Sequence, residues 1–152
     1  MARVLSFVYR LSCLGLVGAQ LFFVAVASQT VFPREVAALP REHPRRALAA
    51  DLVGAMLVRL DAATLALSAV AVLCALGAQS RRAAVLPLLA GLCALASAAL
   101  VTPAIHSMRE AGQTALPRFG LLHGLSAGLL LLEIVLLLVA AFFSPAALPP
   151  QR

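Results

Sequence analysis

The last long apolar stretch of the sequence carries two side chains that can do chemistry. Residues 118–138 read RFGLLHGLSAGLLLLEIVLLL, and His123 and Glu133 interrupt a run that is otherwise suited to a lipid bilayer. An imidazole can ligate a metal ion or a haem iron, and a carboxyl group inside a membrane helix can relay protons or cations. Both side chains are therefore candidate functional groups, and both can instead serve as hydrogen-bonding groups between helices.

Other groups of the same chemistry are predicted at the membrane face where His123 lies. Asp61 stands at the start of the second apolar run, and His106 and Arg109 follow the third. Two histidines and a carboxylate can bind a transition metal or a haem iron, but they can equally cap helix ends and bond to neighbouring polar groups. The sequence predicts one polar cluster at this face, composed of Asp61, His106, Arg109, His123 and Ser126, and leaves metal binding open.

Glu133 is predicted to lie near the bilayer midplane. About ten residues of helix, or ~15 Å, separate it from Phe143 at the end of the apolar run. A charged acid at this depth costs ~2.5–3.5 kcal/mol on the insertion scale, so we expect Glu133 to be protonated or paired. Two interpretations remain open, a proton or cation relay and an interhelical hydrogen bond to Gln20, near the middle of the first apolar run.

The composition indicates a membrane protein. Of the 152 residues, 62% are hydrophobic and 12% are charged, whereas soluble domains are about half apolar. All 12 basic residues are arginines, spread singly or in pairs between apolar runs. Nucleic-acid binding needs a basic stripe and is not predicted. The expected partner is the lipid bilayer, and the expected location is the cell or inner membrane.

Four segments are apolar over ~20 residues, the length that crosses a hydrocarbon core of ~30 Å. They are residues 11–31, 60–79, 83–102 and 119–143. Prolines are expected to end three of them, namely Pro33, Pro103 and the group Pro145, Pro149 and Pro150. The predicted fold is a single all-α domain, an integral membrane four-helix bundle with up-down-up-down topology.

The loops place the polar groups relative to the membrane. A short turn makes the second and third spans antiparallel neighbours. The two termini and this turn are predicted on one side of the membrane, which is called here the N-terminal side. The first loop (residues 32–59) and the third loop (residues 104–118) are predicted on the other side, which is called here the loop side. Residues 47–59 can extend the second span as a helix. Both sides carry similar numbers of arginines, so the positive-inside rule gives no orientation.

Small residues predict close contacts between helices. The fourth span has a G-x-x-x-G repeat and the third has an equivalent alanine stripe, formed by Gly120, Gly124 and Gly128 and by Ala90, Ala94 and Ala98. Such stripes let helix backbones approach closely. We expect them to pack the bundle, and they can also join copies of the chain into a homo-oligomer.

Polar side chains recur at helical spacing on two spans. The second span carries such a seam in Asp61, Thr64 and Ser68, and the fourth carries one in His123, Ser126, Leu130 and Glu133. Polar groups facing lipid are costly. Both seams are therefore predicted to face the interior of the bundle.

No arrangement typical of an enzyme occurs in the sequence. There is no G-x-S-x-G, no phosphate-binding glycine loop and no H-E-x-x-H. Cys13, Cys74 and Cys93 lie singly within apolar runs and are expected to be packing residues. We predict a non-enzymatic membrane protein without a cofactor. The alternatives are a metal- or haem-binding redox protein and a small proton- or ion-coupled transport subunit.

Several motifs resemble those of one membrane-protein family. They are Gly18 and Gln20 in the first span, Phe32 and Leu39-Pro40-Arg41 at its exit, Pro103 with Met108-Arg109, and Phe119 with His123-Gly124-Leu125-Ser126. In these residues the chain resembles the transmembrane protein 205-like family. The resemblance implies a compact four-span membrane domain and no particular biochemical activity. That family commonly has asparagine where this chain has Leu130, and often where it has Thr102, so part of any polar site built on those asparagines is missing.

Overall fold

A computed structural model describes residues 1–40, 43–78 and 80–143 as a bundle of four long helices. The first to fourth spans are Ala2–Val31, Pro44–Gly77, Arg81–Glu110 and Pro117–Phe142, and each is long and apolar enough to cross a membrane. A short helix, Arg34–Ala37, lies in the first loop. The described residues contain no strand. The protein is therefore an all-α, multi-pass membrane bundle, as predicted.

The second span begins much earlier than its apolar run. The Nδ1 atom of His43 accepts a hydrogen bond from the backbone N–H of Arg45 at 3.2 Å, which caps the helix. Pro44 suits the first position because that position needs no N–H donor. The helix has 34 residues and a length of ~51 Å, so it extends well beyond a ~30 Å hydrocarbon core. The predicted helical extension over residues 47–59 is confirmed, and the first loop shrinks to residues 32–43.

The third span does not end at Pro103, so this prediction is wrong. The helix continues to Glu110 through a π-helical segment, Ser97–Val101, and the third loop is correspondingly short. Proline has no N–H to donate, and its ring clashes with the carbonyl four residues earlier. The wider π turn immediately before Pro103 accommodates both effects. In the fourth span, the helix ends at Phe142; Pro145, Pro149 and Pro150, like Arg41 and Gln79, lie outside the described residues.

The first span contains a second π-helical segment, Phe23–Ala27. The hydroxyl of Ser28 donates a hydrogen bond to the carbonyl of Val24 at 2.8 Å. Such a bond back to the preceding turn competes with the regular helix pattern and bends the helix. The segment lies directly after the turn that carries Gln20, on its loop side.

Each span packs against two neighbours in a closed ring, so that the first contacts the second and fourth, and the third contacts the same two. The second and third spans are in close contact at Gly91, where an added Cβ atom would lie 3.3 Å from the Cβ atom of Ser68. At the N-terminal side, the hydroxyl of Tyr9 donates a hydrogen bond to the carbonyl of Ala83 at 2.8 Å. These contacts join the first, second and third spans.

The glycine and alanine stripes do not pack against each other. Ala90 and Ala94 are fully buried in the bundle. Gly120, Gly124 and Gly128 face outward, and an added Cβ atom at any of them would meet no atom within 4 Å. At ~100° per residue, the three glycines lie ~140–220° around the helix from Glu133. Turning that acid inward therefore turns the glycines outward, and the prediction that they pack the bundle is wrong.

Candidate functional site in the bundle interior

Gln20 connects three of the four spans. Its Nε2 atom donates a hydrogen bond to Oε2 of Glu133 at 2.8 Å and another to Oγ1 of Thr64 at 3.2 Å. Gln20 and Thr64 are 0% exposed and Glu133 is 1% exposed. The interhelical hydrogen bond between Glu133 and Gln20, one of the two interpretations left open by the sequence, is therefore present. Glu133 lies in the interior, as its seam predicted.

A second buried acid lies beside this group. The hydroxyl of Ser97 donates a hydrogen bond to Oδ2 of Asp61 at 3.0 Å and so joins the second and third spans. Asp61 lies one helical turn from Thr64, which shares the amide of Gln20 with Glu133. All four spans thus contribute to one set of buried side chains, called here the inner polar layer: Gln20, Asp61, Thr64, Ser68, Ser97 and Glu133.

The inner polar layer retains unused hydrogen-bonding capacity. Oε1 of Gln20 and Oγ of Ser68 are buried without a hydrogen-bond partner, and so is Oγ1 of Thr102, nearer the loop side. A buried polar atom without a partner costs ~1–3 kcal/mol. The layer therefore contains acceptor atoms that a proton or a small cation bound there can engage.

Neutral side chains alone are bonded to the two buried acids. Within residues 1–40, 43–78 and 80–143, the one ion pair joins Arg109 to Asp51, far toward the loop side, and includes neither buried acid. Asp61 accepts from a hydroxyl, and Glu133 accepts from an amide. Among the described residues, no cationic side chain is therefore paired with either of the two acidic groups of the layer.

Apolar packing encloses the inner polar layer at both ends. On its N-terminal side lies a core cluster that includes Tyr9, Leu16, Ala75 and Leu137. On its loop side lies a smaller cluster of Phe23, Leu60 and Leu130. The described structure is thus closed around the acids, and access to them requires a movement of the helices.

The polar cluster predicted at the loop side does not form as one site. Asp61 belongs to the inner polar layer, because its side chain is buried and accepts its hydrogen bond from Ser97 of the third span. On the second span, Gly54 lies beside both His106 and Arg109: an added Cβ atom there would lie 3.7 Å from the His106 ring and 3.9 Å from Nη1 of Arg109. Gly54 precedes Asp61 by seven residues, or ~10 Å along the helix.

Arg109 joins the loop-side extensions of the second and third spans. Its Nη2 atom lies 2.5 Å from Oδ1 of Asp51, and its guanidinium donates to the carbonyls of Ala50 and Ala47 at 3.4 and 3.5 Å. Asp51 is exposed, whereas the Arg109 side chain is only 19% exposed. The end of the third span is thereby fixed to the beginning of the second.

His123 lies apart from the other predicted site residues. It is exposed, and its ring stacks against that of Phe119 with 6.5 Å between the centroids. Ser126, Leu130 and Glu133 are buried, so the interior seam begins at Ser126 and the placement of His123 on it is wrong. Across the described residues, no group of three histidine, cysteine, aspartate or glutamate side chains could hold a metal ion.

Ser97 is the site residue that the sequence interpretation missed. It continues the buried face of Ala90 and Ala94 at helical spacing, and this position is the signal that could have identified it. Asp51, the partner of Arg109, offered no such signal, because the two residues are brought together only by the packing of the helix extensions. Cys13 and Cys74 are buried, and all three cysteines are free thiols.

The fold and the inner polar layer together define a multi-pass α-helical membrane protein with buried acids between its spans. Family models, curated proteins and solved structures yield no match to the chain.

Proposed function

We propose that this protein is a non-enzymatic, proton-coupled membrane protein in which the inner polar layer binds and releases protons. The observation that carries the proposal is the burial of Asp61 and Glu133 between four membrane helices with neutral partners alone in the described structure. This proposal favours the transport-subunit alternative over a redox role, because His106 and His123 contact different parts of the protein.

Electrostatics supports the assignment of a proton as the bound species. Transferring a carboxylate from water into a protein interior costs several kcal/mol, and an isolated buried acid binds a proton rather than remain charged. Two acids buried in the same layer add mutual repulsion when both are charged. A proton shared within the layer relieves both costs.

Gln20 supplies a switch between two protonation states. In the observed orientation its amide N–H group donates to Glu133, and its Oε1 atom has no partner. When Glu133 takes up a proton, its carboxyl group becomes a donor and the amide can rotate so that Oε1 accepts. Because Nε2 of Gln20 also donates to Thr64, this rotation changes the contact with the second span.

The two π-helical segments support a coupling of protonation to helix movement. Ser97, which binds Asp61, begins one segment, and the other lies one turn beyond Gln20. π turns inside α-helices are frequent at functional sites and serve as hinges. Movement at these segments would open the smaller apolar cluster toward the loop side.

Infrared difference spectroscopy tests proton binding directly. The full chain in lipid nanodiscs is exchanged between acidic and alkaline buffers, and the protonated carboxyl band is followed. We expect a titrating carboxyl signal that is diminished by Glu133→Gln and by Asp61→Asn. In proteoliposomes with an imposed pH gradient, the same variants should slow proton entry, measured with an enclosed pH-sensitive dye.

Glu110→Gln is the matched control, because Glu110 is an exposed acid at the end of the third span. It should leave the signal of the buried acids and the proton flux unchanged. Identical difference spectra for wild type, Glu133→Gln and Asp61→Asn would overturn the proposal.

We also propose membership of the transmembrane protein 205-like family, on the motifs given above. Gln20 and Ser126 of those motifs are buried, whereas His123 is exposed. An alignment of homologues tests this proposal. It should show the Gly18, Gln20 and Phe32 pattern together with Phe119 and His123, and independent variation of the two groups would contradict it.

A further inference from the structure

A groove opens on the outer surface between the first and second spans, toward their loop-side ends. It is a shallow groove with a volume of about 370 Å³. The lining is apolar apart from one arginine and includes Ala19, Phe23, Ala27, Met56, Arg59 and Leu60. The groove faces outward, so in a membrane lipid is its immediate surroundings.

The length of the second span places Arg59 near the depth of the lipid headgroups when Gly77 is set at the opposite membrane boundary. Arg59 precedes Gly77, the last residue of the second span, by 18 positions, which corresponds to ~27 Å of helix. The hydrocarbon core is ~30 Å thick. With Gly77 at the N-terminal side of the membrane, Arg59 therefore reaches the opposite boundary, while Leu60 and Ala19 lie deeper.

The charge of Arg59 is not balanced by the protein within its described residues. Arg59 is exposed, and the ion pair found among the described residues joins Arg109 to Asp51 and does not include Arg59. A guanidinium group forms strong, bidentate hydrogen bonds with phosphate. An arginine side chain can also reach along an apolar surface and place its charged end at the membrane boundary.

We propose that this groove binds an anionic phospholipid, with an acyl chain on the apolar lining and the headgroup phosphate on Arg59. Arg59 lies within the apolar lining: Leu60 and Ala19 lie on its membrane side, where an acyl chain can contact them, and Met56 and Ala27 lie toward the loop side. An anionic lipid adds a net charge opposite to that of Arg59, whereas a zwitterionic lipid does not. This inference is independent of proton binding, since no residue of the inner polar layer lines the groove.

Native mass spectrometry of the purified full chain measures lipid retention. The protein is incubated with equal amounts of phosphatidylglycerol and phosphatidylcholine, and the bound fraction of each is compared. We expect preferential retention of phosphatidylglycerol. Arg59→Gln removes one interfacial arginine and should reduce that preference about five-fold.

Two further variants separate the groove from general surface effects. Arg34→Gln removes an exposed arginine of the short loop helix and should retain the preference. Ala63→Phe fills the groove from its exposed lining and should reduce binding of both lipids. Thermal unfolding of each variant establishes that the bundle is intact.

Equal losses of preference in Arg59→Gln and Arg34→Gln would assign the effect to general charge and overturn the proposal. Unchanged lipid retention in Ala63→Phe would do so as well, as would a groove occupied by a co-purifying protein instead of lipid. Glu133→Gln should bind phosphatidylglycerol normally, so a failure of the proton proposal leaves this test intact.

Discussion

At the scale of single residues, Gln20 is the main connector of the bundle interior. One amide nitrogen donates to Glu133 on the fourth span and to Thr64 on the second. Lipid offers no hydrogen-bonding partner at this depth, so a polar group that loses its partner there cannot turn to water. The amide therefore both orients the acid and fixes the rotation of three helices relative to one another.

A double-mutant cycle measures this connection. Gln20→Leu and Glu133→Leu, alone and together, should show a coupling free energy of ~0.6 kcal/mol, up to ~1.7 kcal/mol, the range for hydrogen bonds between membrane helices. The measurement is reversible unfolding in mixed detergent micelles. Gln113, an exposed loop residue, supplies the control, since Gln113→Leu combined with Glu133→Leu should show no coupling. A coupling of zero for the Gln20 pair would contradict the prediction.

At the scale of the helices, glycine has different roles on the third and fourth spans. Gly91 allows close approach to Ser68, with 3.3 Å between that side chain and an added Cβ atom. Gly124 faces open space. The G-x-x-x-G repeat, which has the stronger sequence signal, therefore contributes nothing to packing within one protomer, and a single glycine outside any such repeat does.

Leucine substitutions at these two positions test the difference. Gly91→Leu should destabilise the bundle by ~1–3 kcal/mol, because the added atoms force the second and third spans apart. Gly124→Leu should leave the free energy of unfolding of the monomer nearly unchanged. Unfolding in detergent at low protein concentration provides the comparison, and equal destabilisation by both variants would show that the packing described for Gly91 is incorrect.

At the scale of the whole molecule, the outward glycine face bears on self-association. Gly120, Gly124 and Gly128 form a continuous small-residue surface that no part of the described protomer covers. Two such surfaces can approach closely in a bilayer, where helix packing is a main source of association energy. We therefore retain, as a proposal, a homo-oligomer joined through this face.

Single-molecule photobleaching in liposomes measures the association. Wild type should show dimers whose fraction rises with protein density, and Gly124→Leu should lower that fraction by obstructing close approach. Gly15→Leu is the matched control, because Gly15 also faces open space but lies on the first span. Wild type that remains monomeric at all densities would exclude this assembly, and an equal effect of Gly15→Leu would exclude the fourth-span face as its location.

The sequence by itself determined the number of spans and the fold class. Lipid provides no partners for backbone N–H and C=O groups, so each long apolar segment must satisfy its own by forming a helix. The same cost predicted the burial of Asp61, Thr64, Ser68 and Glu133, and it suggested Gln20 as a partner. These inferences need only the hydropathy and spacing of residues within one helix.

Only the tertiary structure decided helix ends and partners. Hydropathy detects the part of a helix in hydrocarbon and not its polar extension, so the helix start at Pro44 and the bond of Asp61 to Ser97 were not predicted. Proline often ends a helix, but the third span continues through Pro103 after a wider turn. Each helix can turn only one face inward, and the fourth turned Glu133 in and its glycines out. That rotation is set by the hydrogen bonds and packing of all four spans together, which no single segment encodes.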